Sequence, residues 1–91
     1  MKELKETVEL MNSSDYKERF IAEYWQTKIR YEKLKIFCNK IEAAKTRDIP
    51  VFEPDHDCPY ELLRDQQRAM SQYLHLLEVR AIIEDINLED K

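Results

Sequence analysis

The sequence predicts an all-α protein: an antiparallel hairpin of two long helices with a short N-terminal helix, built to self-associate as an oligomer. Three observations predict it. The chain has no glycine, the usual residue for left-handed turns and bulges, which disfavours a barrel or sandwich with many tight hairpins. Charged residues make up 37% of it, in the Glu/Lys/Leu-rich mix of long helices. Its apolar residues recur at helical spacing over two stretches separated by a proline-bearing break. Ninety-one residues make one domain, 1–91, and a chain this short buries only about 60–65% of its unfolded surface.

The first helix is expected over about 2–11, where Leu4, Val8 and Met11 share a face. It is marginal alone, because so short a helix forms few hydrogen bonds for its nucleation cost. Asn12, Ser13, Ser14 and Asp15 are capping types that end it. Asp15 with Glu18 three positions on fits a variant of the capping box, so a second helix starts near Asp15. That helix is expected over about 15–46. Phe20, Tyr24, Thr27, Tyr31, Leu34, Cys38 and Ile41 alternate four and three apart, which is a heptad seam.

A second stripe runs along the same helix. Ile21, Trp25, Ile29 and Ile36 point almost opposite the first seam. A helix apolar on two faces needs two partners, and one hairpin supplies only one. The other comes from the N-terminal helix, another subunit, or both. Ile21, Trp25, Ile29 and Ile36 are therefore the expected oligomer interface, since an uncovered Trp25 among isoleucines would be a sticky patch.

Residues 47–58 form the loop, where Pro50 and Pro54 exclude regular helix. The last helix is expected over about 59–85, with Cys58 as its cap and Pro59 at its first position. Its inward face carries Leu62, Leu63, Met70, Tyr73, Leu74, Leu77 and Ala81, with Gln66 and Arg80 on the same side. In an antiparallel hairpin Arg80 falls near Glu23, a natural partner for it. The tail Ile86-Asn87-Leu88 packs back or caps a neighbour.

Net charge is −4, so a general nucleic-acid binder, with its basic footprint, is disfavoured. No apolar run approaches the roughly 18 residues of a membrane span, and the opening residues are too charged for a signal peptide, so a cytoplasmic protein without membrane contact is expected. Catalysis finds little support: glycine-rich phosphate loops and nucleophile elbows are absent. Asp55, His56, Asp57 and Cys58 resemble the start of a metal site. Yet the chain holds only two histidines and two cysteines, where structural zinc takes about four ligands, and a solvated turn is the expected reading. Neither metal nor cofactor is expected, and no enzymatic activity.

A ligand site has better candidates. Arg64 and Arg68 share one side of the last helix with Ser71 and His75, and Lys28 and Arg30 lie on the long helix near Tyr24 and Tyr31. Arginines grip phosphates bidentately and tyrosines stack on bases. Brought together across subunits, these six residues (Tyr24, Lys28, Arg30, Tyr31, Arg64 and Arg68) would make an anionic-ligand pocket. The plain alternative pairs the arginines with Glu61 and Glu78 and puts the tyrosines in the core.

Two stretches carry a resemblance. One is Asp15-Tyr16-Lys17-Glu18-Arg19-Phe20 with Glu23-Tyr24 and Ile29 to Leu34; the other is Cys58 to Met70 with Tyr73-Leu74, Leu77 to Ala81 and Ile86-Asn87-Leu88. Over residues 15–88 the chain resembles a family of short phage and prophage helical-hairpin proteins first named from crAss-like phages. In architecture it is also similar to phage sponge (anti-CBASS) proteins, which assemble into rings and bind cyclic oligonucleotides between subunits. It lacks the Arg-Ala-Val-Ala-Gln-Pro type of ending of that group, so no site residue is carried over from it.

The resemblance implies a phage-encoded anti-defence protein, acting in an infected or lysogenic bacterial cell. The first expectation is an oligomer that sequesters a cyclic di- or trinucleotide immune signal. The second is an acidic inhibitor of a host defence protein, anti-CRISPR-like, favoured by the acid-rich ends Glu3 to Glu9 and Glu84 to Asp90. The third is a small structural phage module, which needs only the hydrophobic seams.

Overall fold

A computed structural model describes residues 3–89. Lys2, where the first helix is expected to begin, and Asp90 of the acidic tail lie outside them. A 3-10 turn, Leu4–Thr7, runs directly into α1, Val8–Met11. The long helix α2 spans Tyr16–Thr46, a 3-10 turn occupies Pro50–Phe52, and α3 spans Tyr60–Glu84. Among the described residues there is no strand.

The first segment is less helical than its apolar spacing suggests. The hydroxyl of Thr7 donates to the Leu4 carbonyl at 2.6 Å, a local bond that tightens the backbone toward 3-10 geometry. Helix α2 then begins through a relayed cap. Asp15 accepts from the Lys17 amide at 3.0 Å. Glu18 does not return to the Asp15 amide, as in a capping box. Ser13 stands between them: its hydroxyl accepts from the Asp15 amide at 3.0 Å and donates to Glu18 at 2.6 Å. Two orphan amides of the helix start, those of Asp15 and Lys17, are satisfied together.

Helices α2 and α3 end alike, on an aspartate with positive φ: Asp48 at 55° and Asp85 at 57°. At each end the following amide reaches back across the turn. Ile49 N–H bonds the Ala44 carbonyl and Ile86 N–H the Ala81 carbonyl, both at 2.8 Å. These are Schellman motifs with aspartate in the place usually taken by glycine. They bend the chain at two points where the composition offers no glycine.

Antiparallel pairing of α2 with α3 is fixed by side chains that meet in reversed order. Tyr16 bonds Glu84, Tyr24 bonds Glu78 and Glu42 bonds Tyr60. Between them lies a core of Phe20, Tyr24, Leu74, Leu77, Ala81 and Ile86. A second buried group, Cys38, Ile41 and Ala44, closes the loop end. Leu77 is 1% exposed, so truncating it to alanine would cost about 2–5 kcal/mol. Both cysteines are free thiols, Cys38 buried and Cys58 exposed.

Three local expectations change. Pro59, with ψ 145°, is the cap rather than the first helical residue; its carbonyl accepts from Leu62 and Leu63, and α3 starts at Tyr60. Arg80 does not meet Glu23. It bonds Tyr16 at 2.5 Å and Glu84 at 3.0 Å, and its guanidinium lies 5.0 Å from the Phe20 ring centre. The hairpin register puts Arg80 beside the first turn of α2, not the second. The broad inward face of α3 also divides. Leu74, Leu77 and Ala81 are buried and Leu63 and Met70 half-buried, whereas Leu62, Gln66, Tyr73 and Arg80 are exposed. One neighbouring helix covers one heptad seam, and the apolar arc of α3 is wider than that.

Candidate functional site

Two of the six ligand candidates are anchored in the hairpin itself. The Tyr24 ring is buried in the core, and its hydroxyl donates to Glu78 at 2.7 Å. Burial first, and the Glu78 carboxylate second, push this phenol well above the usual tyrosine range. Arg64 is the hub of a polar knot that ties α3 to the end of α2. Its Nε donates to the Tyr60 hydroxyl at 2.8 Å, and its Nη2 to Asn39 at 2.9 Å and Glu42 at 3.1 Å; a further bond reaches Gln67. The bonds from Tyr60 and then Arg64 hold the Glu42 carboxyl below its usual range.

The other four are more open. Tyr31 is half-buried against the core. Lys28 pairs with Glu32 at 3.6 Å, one turn along α2. Arg68 pairs with Asp65 at 3.1 Å on an exposed face, and Arg30 is exposed. Arg64 sits beside Asn39 and Glu42, eleven or more residues along α2 from Lys28. That is about 16 Å of helix, so one chain does not bring Lys28 and Arg64 together.

The second stripe of α2 is covered largely by the chain's own ends. Ile29 is buried, and Ile21 and Trp25 are half-buried. The N-terminal segment docks on this side through Thr7, whose hydroxyl accepts from Gln26 at 2.9 Å. After the turn at Asp85 the tail crosses α2, and the Trp25 indole donates to the Leu88 carbonyl at 2.8 Å. Ile36 lies outside what these two described segments cover and is 54% exposed.

Where these ends converge they leave a groove of about 560 Å³. Leu10, Ile21, Trp25 and Ile86 give it an apolar floor. Glu6, Glu18, Asp85 and Glu89 line it with acid, against one cation, Lys17. That sign disfavours an anion. Helical period marks Trp25 and Ile21 but not this groove, which forms only where segments far apart in the chain, bearing Leu10 and Ile86, converge over α2.

A shallower groove of about 410 Å³ opens at the other end, between α2 and the loop. Lys40 and Arg47 flank Ala43 and Ala44, and Ile49 and Phe52 fold over them. Its charge is positive, and Phe52 is 73% exposed. The spacing Lys40, Ala44, Arg47 on one helical face was the signal for it in the sequence. These cations also lie at the C-terminal end of α2, where they complement the helix dipole.

Among the described residues no three His, Cys, Asp or Glu side chains gather as a metal site, and no helix is long and apolar enough to cross a membrane. In the Asp55–Cys58 turn, His56 instead clasps the loop. Its Nδ1 faces the Cys58 carbonyl at 2.6 Å and its Nε2 the Glu53 carboxylate at 2.7 Å. Both ring nitrogens face acceptors, so the charged ring is favoured and its pKa is raised, by the Cys58 carbonyl first and Glu53 second.

A family model described as Sequestin matches residues 14–83, the span from the cap of α2 to the last turn of α3. No curated protein and no solved structure matches the chain.

Proposed function

Because the chain belongs to the Sequestin family, we propose that it is a binding protein that sequesters a cyclic oligonucleotide immune signal, holding it non-covalently between copies. Family membership across the whole hairpin is the observation that carries this reading, since the family's name denotes a sequestering role. Its resemblance to phage proteins supports an anti-defence role in an infected bacterial cell.

The charges support a pocket shared between copies. Exposed Arg30 and Arg68, with Lys28, are the candidate cations for a phosphate, Lys28 and Arg30 on α2 and Arg68 on α3. A second copy supplies what one chain lacks. Tyr31, half-buried at its edge, is the base-stacking candidate, whereas Tyr24 and Arg64 hold the scaffold in shape.

Thermal denaturation and native mass spectrometry with a panel of cyclic di- and trinucleotides test this. A bound nucleotide at a hundred times its Kd stabilises by about 2.7 kcal/mol and adds its own mass. Neither a shift nor an added mass with any member of the panel overturns the reading.

The acid-lined groove over Trp25 favours a second reading, an inhibitor that takes a cationic segment of a host defence protein. A stoichiometric protein partner from host lysate, lost on Glu18→Lys, supports it over the nucleotide.

A further inference from the structure

The acid around the Trp25 groove comes from three separate segments. Glu6 belongs to the N-terminal turn, Glu18 to the first turn of α2, and Asp85 and Glu89 to the tail beyond α3. Among the described residues no cation forms an ion pair with any of these four carboxylates. Lys17, the cation in the lining, instead donates to the backbone carbonyl of Asp85 at 3.4 Å. Glu18 suits the start of α2, where the helix dipole favours negative charge. Asp85, at the C-terminal end of α3, stands where the same dipole disfavours it. Helix stability therefore does not account for the acid of the tail.

The floor is apolar and its aromatic ring is fixed. The Trp25 indole is tied by its N–H to the Leu88 carbonyl and packs edge-to-face with Tyr24, ring centres 5.4 Å apart. Of the aromatic rings, tryptophan attracts a cation most strongly. An acid rim over such a floor calls for a cation that carries an apolar body.

Size and spacing narrow the choice. About 560 Å³ falls within the roughly 300–1,000 Å³ of small-molecule pockets. A docking helix, about 10 Å across, would fill that volume in little more than one turn. The carboxylates are also too dispersed for a metal ion. Among the described residues no three acidic, His or Cys side chains converge, whereas calcium takes about six to eight oxygens at about 2.3–2.6 Å. Dispersed acid fits an extended organic cation better than a point charge.

We infer that the Trp25 groove is a binding site for a small organic ammonium with an apolar body, the ammonium among the carboxylates and the body on Trp25, Leu10 and Ile21. The protein-inhibitor reading uses the same groove, but here the occupant is a free molecule and needs neither a partner protein nor a second copy. Such a ligand touches the N-terminal segment, α2 and the tail together, and so clamps both ends onto the hairpin.

Trp25 is the chain's one tryptophan, so its emission reads this groove directly. Phenethylammonium titrated into the full chain is expected to change that emission saturably. 2-Phenylethanol, the same body without the charge, should need at least about tenfold more, and phenylacetate should give no change. Glu6→Gln/Glu89→Gln removes two exposed carboxylates and should weaken the ammonium about tenfold with helical circular dichroism intact. No saturable change with phenethylammonium overturns the inference. So does an equal response to the alcohol, or a double variant that binds as tightly as wild type. Should the double variant fail to fold, the comparison of ammonium with alcohol on wild type still decides. A response to tri-lysine with none to phenethylammonium also overturns it, and leaves the protein-inhibitor reading standing. The cyclic-nucleotide panel is read separately, so its failure leaves this site untouched.

Discussion

The indole of Trp25 donates to the backbone carbonyl of Leu88, 2.8 Å away and 63 residues on, and so latches the tail across the start of α2. Ile86, two residues earlier, is buried in the main core. The tail is thus part of the fold, although it lies beyond the last helix and outside the family match.

Loosening that latch should expose the indole. Ile86→Ala is expected to cost about 2–4 kcal/mol in chemical denaturation, and to shift Trp25 fluorescence to longer wavelength in the folded chain. Trp25→Phe removes one donor and should cost about 1 kcal/mol beyond its change in packing. An unchanged emission in Ile86→Ala would show that the tail does not shield the indole.

The two positive-φ aspartates are stability left unused. Asp48→Gly and Asp85→Gly relieve the left-handed strain of a residue with a Cβ, partly offset by the freer unfolded chain. Each is expected to stabilise by about 0.5–1 kcal/mol, raising Tm by roughly 2–8 °C. Valine at either position should destabilise. A glycine variant that melts lower than wild type would mean the aspartate side chain contributes more than its backbone strain removes.

The loop clasp should respond to pH. His56 has a folded pKa above the usual 6.5, so the folded state favours its protonated form. Its contribution is fully present below pH 6.5 and fades as pH rises through the folded value. An NMR titration should place its midpoint above 6.5, and Glu53→Gln should lower that midpoint while leaving the Cys58 carbonyl contact. A midpoint below 6.5 in wild type contradicts the clasp.

Arg64 and Arg68 should behave differently despite lying one turn apart. Arg64→Ala strips the knot with Tyr60, Asn39 and Glu42, and should lower Tm by several degrees without any ligand present. Arg68→Ala loses only an exposed pair with Asp65, worth about 0–1 kcal/mol, and should leave Tm nearly unchanged. With cyclic nucleotide, Arg68→Ala and Arg30→Ala should weaken binding about tenfold each. Weaker nucleotide binding in Arg64→Ala at unchanged Tm would return Arg64 to the ligand site.

What the sequence by itself determined is whatever local spacing and capping chemistry control. The heptad seam of Phe20 to Ile41, the start of α2 at the Asp15 cap, the prolines of the loop and the absence of glycine are enough for a hairpin of long helices. They also show that α2 is greasy on two sides, since helical period alone sets which residues share a face. The tertiary structure decided what covers each side. Periodicity says that Ile21, Trp25 and Ile29 need a partner, but only the crossing of the tail and the docking of Thr7 on Gln26 supply one from within the chain. It likewise lumps Leu62 and Tyr73 with Leu74 and Leu77. Residues adjacent in sequence stand about 100° apart on a helix, and the hairpin's rotation chooses which of two neighbouring seams meets α2. The same rotation turned Arg80 toward Tyr16, sank Tyr24 into the core and knotted Arg64 to Glu42. Side-chain type announces that a group can bind; contact across the hairpin determines whether it is already engaged.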